Sequence, residues 1–379
     1  MGSTTFEDFG KWFWNDDFWL PPNVTWDQFQ TLENSPVRYA SFNDLFWPIP
    51  MAFGIIFLRF VVENMVFRPL GRSLGLKENR KRHPGSNDIL EKAFQLIQSS
   101  AKSIQQEEIL RLSKQLQMTE RRIERWLRQR ALIGKPSQLD KFAETGWRWL
   151  YYTSIFAFGM KCLWSKAWFW NITDCWYGYP YHKVDSDVWW WYMVELAFYW
   201  GLLGTQFVDV KRKDFWMMCI HHLATIFLMA FSWTCNLFKV GTLVLIIHDI
   251  ADIFLESAKL CKYGGAKKVS EILFGSFALS WFITRLGIFP TWIIYSVTVE
   301  APQVVQYFPA YFIFNGLLSL LLLLNIMWAY FICKAVYAAV LNADSIANDI
   351  RSDTSDMETS SYVETDDSHS SSKSKKKMN

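Results

Sequence analysis

Residues 215–256 read FWMMCIHHLATIFLMAFSWTCNLFKVGTLVLIIHDIADIFLE. Two apolar runs, 215–234 and 240–258, are each long enough to approach a bilayer crossing. The turn between them has only about five residues, so the two segments are expected to be antiparallel helical neighbours. Ionisable side chains within such segments are costly in lipid and mark functional positions. The first run carries His221 and His222; the second carries His248, Asp249, Asp252 and Glu256. At a rise of 1.5 Å per residue, His221 lies roughly 20 Å from Thr234, and Asp252 roughly 18 Å from Val240. Asp252 is therefore expected level with the histidine pair, with His248 about one turn closer to the connecting turn. His248, Asp252 and Glu256 fall at i, i+4 and i+8, on one helix face.

Neutral imidazole is a base or nucleophile near pH 7, and a neighbouring carboxylate fixes its tautomer and stabilises the imidazolium. The same donors suit a transition metal, but two histidines at i,i+1 point about 100° apart, whereas helical zinc pairs use i,i+4. The chain has six His, too few for the repeated histidine boxes of membrane di-iron enzymes, and His83, His182 and His369 lie outside the spans. No metal or other cofactor is expected. Acyl transfer to or from a lipid fits the set better.

Outward from this pair, the composition is that of a multi-pass membrane protein. In 379 residues, 51% are hydrophobic and 18% aromatic, with 21 Trp, 15 Tyr and 31 Phe. A mean hydropathy of +0.03 averages apolar runs with a very polar tail, which excludes a soluble enzyme and a wholly disordered chain. Six Cys without CxxC or Cys/His spacing give neither a zinc site nor a disulfide framework. A first span is expected at 45–66, and six more at 149–165, 188–208, 215–234, 240–258, 271–297 and 308–340. The fold class is all-α with about seven transmembrane helices, since lipid leaves no water to satisfy the backbone.

Lys and Arg set the orientation. Residues 67–148 hold eighteen, against two in 1–44; the loops at 209–214 and 259–270 are basic, and those at 166–187, 235–239 and 298–307 are not. The N-terminus is expected to be lumenal and the C-terminus cytosolic. Residues 1–44 show no n-region or h-region of a cleavable signal. The glycosylation triplets at Asn23 and Asn171 fall on the lumenal side. From 342 the chain is polar and expected to be disordered. Its acidic Ser/Thr run, Ser352–Ser368, looks like an acidic-directed kinase substrate. Lys376 and Lys377, three and four places from the end, resemble a dilysine retrieval signal of the endoplasmic reticulum.

The stretch His221-His222-x-x-Thr225, Ser232-x-x-x-Asn236, Gly241-Thr242-Leu243-Val244, then His248-Asp249-x-x-Asp252-x-x-Leu255-Glu256-x-x-Lys259, resembles the longevity-assurance signature of ceramide synthases. Phe198-Tyr199-Trp200, Asp209 through Phe215, Arg285-Leu286 and the approach Leu139 to Arg148 match the same family, so the resemblance spans about 45–340. Lys239 departs from it, standing where many members have Arg. The resemblance implies a TLC domain at 139–341, its six spans forming a helical barrel around a hydrophobic cavity. It further implies N-acylation of a sphingoid base by a fatty acyl-CoA, a substrate rather than a cofactor, in the endoplasmic-reticulum membrane, and leaves a homo- or heterodimer open. Two routes fit: a histidine deprotonates the ammonium for direct attack, or a histidine carries the acyl group as an acyl-imidazole. The family favours the second, with His221 as the carrier and His222, His248, Asp249 and Asp252 as base and orienting groups. It also directs acyl-length selection to the connection between the last two spans, with Val297, Glu300, Pro302 and Phe308.

Residues 67–138 form a basic section whose part at 79–135 resembles an incomplete homeodomain. Thr119 would cap its second helix, and Leu110, Leu112, Leu116, Ile123, Trp126 and Leu127 would make a small core. Gln129 stands where a DNA reader needs the Asn that pairs with adenine, and basic residues are demanded of any cytosolic loop. DNA binding is therefore not expected. Arg59 and Glu63 read as an i,i+4 ion pair. Arg285 needs a partner at mid-span, Glu195 or the Asp cluster. The rival functions are a non-catalytic TLC-domain lipid transporter or sensor and a membrane-tethered DNA-binding regulator.

Overall fold

The computed structural model describes residues 10, 12–29, 38–78, 85–100, 106–133, 136–209 and 214–341. Lys376, Lys377, the acidic Ser/Thr run and the basic residues 210–213 lie outside them. Among the described residues, regular structure is helical throughout. The long helices are α1 (Phe42–Ser73), α5 (Gln138–Leu163), α6 (Ser186–Gln206), α7 (Phe215–Thr234), α8 (Phe238–Tyr263), α9 (Lys267–Val304) and α10 (Pro309–Leu341). Between α1 and α5 stand α2 (Asp88–Ser100), α3 (Gln106–Leu116) and α4 (Glu120–Leu132). The helices α1, α7, α9 and α10 are long and apolar enough to cross a membrane. The other three have the length, 26, 21 and 26 residues, but ionisable and polar aromatic side chains interrupt them.

Local signals set the helix ends. Ser137 and Asp140 form a reciprocal capping box that starts α5, and Gly265, at φ +84°, follows the end of α8. In α9 the hydrogen bonding widens to i→i+5 from Phe282 to Ile294 and again from Ser296 to Glu300. Pro290 lies in the first stretch and cannot donate, so the wider winding absorbs its missing bond. The expected loop 297–308 is a correction: α9 continues through Val304, leaving four residues before α10. Pro302 does not stop it, because it enters the first turn of the segment Ala301–Val304, where no N–H is needed.

Helix α8 packs against α5 and α9, α6 against α1 and α7, and α10 against α7 and α9. The main core gathers Trp191, Trp233, Phe238 and Phe289, all but fully buried. Gly159 of α5 allows a close approach: a Cβ there would stand 2.6 Å from the Trp191 ring. By contrast only 11% of the apolar window of α1 is buried, against 44% for α7, so α1 is peripheral. It is tied in by Arg59, which bonds Glu63 at 2.7 Å, as the spacing predicts, and also Asp209 at 3.0 Å.

The module α2–α4 has its own core of Leu90, Ala93, Leu112, Ile123, Trp126 and Leu127. Leu110 is 44% exposed and does not join it. Thr119 occupies the cap position of α4 but its side chain makes no capping bond. The module is closed instead by Arg130, which holds Glu91 at 2.6 Å, and by the Trp126 indole donating to the Gly85 carbonyl at 2.7 Å.

Candidate active site

Two cavities adjoin along α7. The polar one has about 950 Å³ of empty space, part of it open to solvent, and is lined by His221, His222, Asp252, Glu256, Arg285 and Trp328 among others. The second, about 850 Å³, is almost wholly apolar and begins at Thr225, one turn beyond the histidines. It runs past Met229, Ser232 and Val244 to Val297, Pro302, Phe308 and Leu318. One helix, α7, thus carries acid–base groups into one cavity and apolar side chains into the next.

His222 is 5% exposed, and its Nδ1 lies 2.9 Å from Gln206 Oε1. The Gln206 amide nitrogen donates to the Phe215 carbonyl at 2.7 Å, which fixes the amide so that its oxygen faces the ring. An amide oxygen only accepts, so Nδ1 carries the proton and Nε2 the lone pair. His221 is partly exposed and meets the Trp328 ring edge-on at 5.4 Å; Tyr199 stands about 6 Å from both imidazoles.

The expected five-residue set divides in two. Asp252 joins the histidines in the polar cavity as its depth predicts, where Arg285 holds its carboxylate at 2.6 Å. Arg285 also donates to the His248 carbonyl at 2.5 Å and lies 3.9 Å over the Trp281 ring. Its partner is thus Asp252 and not Glu195. His248 and Asp249 lie behind that wall. The His248 Nδ1 donates to Val244 O at 2.7 Å, its Nε2 accepts from Asn325 at 3.2 Å, and Phe289 closes over it at 4.9 Å. Asp249, 1% exposed, lies beside Glu195 of α6, also 1% exposed. Glu195, Gln206 and Asn325 carried no expectation of this kind.

Around the mouth of the polar cavity, Arg59 and Arg148 flank Asp209 at 3.0 and 4.0 Å, Arg148 holds Glu144 at 2.5 Å, and Lys259 holds Glu256 at 2.9 Å. Among the described residues no three His, Cys, Asp or Glu side chains form a metal-ion donor set.

At the far end of the apolar cavity, Val297, Pro302 and Phe308 line its wall, but Glu300 does not. Tyr311 donates to the Val297 carbonyl at 3.0 Å, and Trp176 to Ser296 at 2.9 Å. Asn236 donates to the carbonyls of Pro180 and His182. Burial, with Lys239 adding to it, pushes the loop residue His182 down to about 4, so it is neutral. Lys239 bonds the Asp174 carbonyl at 3.0 Å and covers the Trp168 ring, contacts that need no guanidinium fork. Asn23 and Asn171 are both exposed.

A TLC domain family model matches residues 141–334. Human ceramide synthase 3 is 38% identical over 352 residues, 93% of this chain and 90% of that protein. Human ceramide synthases 5 and 4 are each 37% identical over 353 residues, 93% of this chain and 88% of theirs. The chain belongs to the ceramide synthase family. Its resemblance at the signature residues therefore extends over nearly the whole sequence. As a ceramide synthase it is an acyltransferase.

Proposed function

We propose that this chain N-acylates a sphingoid base with a fatty acyl-CoA, and that the transfer takes place at His221 and His222. The observation that carries the reading is the junction on α7: two histidines in a polar cavity, and an apolar cavity beginning one turn on. A thioester at the junction would place its acyl chain in the apolar cavity and its CoA at the charged mouth. His221 attacks the thioester carbonyl, the C–S bond breaks, and CoA leaves as the thiolate. The sphingoid ammonium gives a proton to His222 Nε2, and the amine attacks the acyl-imidazole. The bond to His221 then breaks and the amide is released. Overall the ammonium loses two protons, one to the thiolate and one to solvent. Asp252 and Arg285 hold the wall facing the histidines; His248 and Asp249, shut behind it, position that wall.

The same reading takes the seven long helices as seven spans, with α5–α10 surrounding the cavities as a barrel in the endoplasmic-reticulum membrane. The basic residues beside the polar cavity support a cytosolic side for it, and the reading takes Asn23 and Asn171 as lumenal and Lys376 and Lys377 as cytosolic. Acyl length is read where Val297, Pro302 and Phe308 close the apolar cavity. Glu300 acts there only through the helix that carries it.

The test is incubation of the purified protein with sphinganine and acyl-CoAs of graded length, with products read by mass spectrometry. N-acyl sphinganine is expected. Its absence, with lipid binding intact, would favour the transporter reading. Exchange of residues 297–308 for a relative's segment is expected to shift the preferred length; an unchanged distribution in an active chimera would move the ruler along α10.

A further inference from the structure

Four carboxylates line the polar cavity: Asp209, Asp214, Asp252 and Glu256. Three have a cation within 4.0 Å, namely Arg59 and Arg148, Arg285, and Lys259 in turn. Among the described residues, Asp214 has none. It is 4% exposed, and among the described residues its Oδ2 accepts a single bond, from the Trp328 indole at 3.2 Å, while its buried Oδ1 has no partner. Asp214 also stands at the N-cap of α7, where an Asp side chain ordinarily accepts from the helix N–H groups, yet it makes no capping bond. Its carboxylate faces Trp328 instead. A buried carboxylate with one neutral donor is expensive to maintain, so the position suits a group that arrives with a positive charge.

We propose that Asp214 is the subsite for the ammonium of the sphingoid base, a long-chain amino alcohol. This rests on the function proposed above. Two observations fix the ligand class. The other substrate, an acyl-CoA, brings phosphates that this carboxylate repels, so only the amine gains from it. Asp214, at the N-cap of α7, precedes His221 by seven residues, about 10 Å of helix rise. Trp328 spans that interval, its indole nitrogen on Asp214 and its ring 5.4 Å from His221. An amine that enters along Trp328 is handed from the carboxylate to the histidines.

The variant Asp214→Asn keeps the shape and an oxygen for Trp328 but removes the charge. Loss of a charge-assisted bond is expected to raise KM for sphinganine at least about tenfold, with KM for palmitoyl-CoA within about twofold. Asp214→Glu should restore most of the affinity. Independently of turnover, radiolabelled sphinganine bound to the wild-type protein in micelles is competed with unlabelled sphinganine or with its neutral analogue bearing hydroxyl in place of the amine. The amine is expected to displace at least about tenfold better, and Asp214→Asn to lose that preference. An unchanged KM for sphinganine, a KM for acyl-CoA raised in parallel, or equal competition by the neutral analogue would each overturn the site. The wild-type competition decides even if the Asn variant does not fold. Selective amine binding without N-acylation would sink the proposed reaction and leave the site standing.

Discussion

The two cavities share a helix and differ in almost everything else. The polar cavity is built from side chains that constrain one another: Gln206 orients His222, Arg285 ties Asp252 to the His248 carbonyl, and cations cover most of its carboxylates. The apolar cavity is built from interchangeable side chains such as Met229, Val244 and Leu318, with few polar bonds. Replacing Gln206, Asp252 or Arg285 leaves a buried charge or donor unmatched, whereas the apolar wall can change at the cost of shape. The proposed chemistry therefore falls to the first and the proposed chain-length selection to the second.

The largest test of that division is at the histidines. His221→Ala or His222→Ala is expected to cut N-acyl transfer about a thousandfold, near 4 kcal/mol of barrier, in a protein that still inserts and folds. Retention of a tenth of wild-type turnover by either variant would remove it from the chemistry. Next is Arg285→Met, which strands Asp252 and the His248 carbonyl; thermal unfolding in detergent should show a loss of about 3 kcal/mol together with lost activity. A variant as stable as wild type would mean the wall does not depend on that ion pair. In the apolar cavity, Val244→Phe should move the preferred acyl-CoA to shorter chains, each excluded methylene worth about 1–3 kcal/mol, with short-chain turnover kept. If it lowered turnover equally for every length, the cavities would not be separable. The smallest effect is expected from Gln206→Met, which frees the His222 tautomer: kcat should fall about tenfold, near 1.4 kcal/mol, with both KM values little changed. A fall confined to KM would give Gln206 a binding role instead.

Much of this was legible in the sequence because periodicity and depth are simple geometry. The rise along two antiparallel helices was enough to place Asp252 with His221 and His222. The same arithmetic set His248 one turn away but could not show that a turn is enough to cross from cavity to core, since Phe289 and Asn325 come from α9 and α10. Gln206 escaped notice because an uncharged residue at a helix end carries no compositional signal; its role depends on the Phe215 carbonyl nine residues on. Asp214 was hidden in a loop read for its lysines and arginine. The segment 297–308 was read as the connection between two spans, and only the backbone reveals that Pro302 sits in a helix's opening turn.

The ion pair between Arg285 and Asp252 also bears on how the chain is made. An arginine at the middle of a helix costs about 2.5–3.5 kcal/mol when that helix enters lipid alone. Helix α8 is synthesised just before α9 and holds the matching carboxylate. The two helices, joined by the tight turn at Gly264 and Gly265, can leave the insertion machinery together as a neutralised hairpin. The residue proposed to brace the wall facing the histidines thus also has its charge matched by the helix that precedes it in the chain.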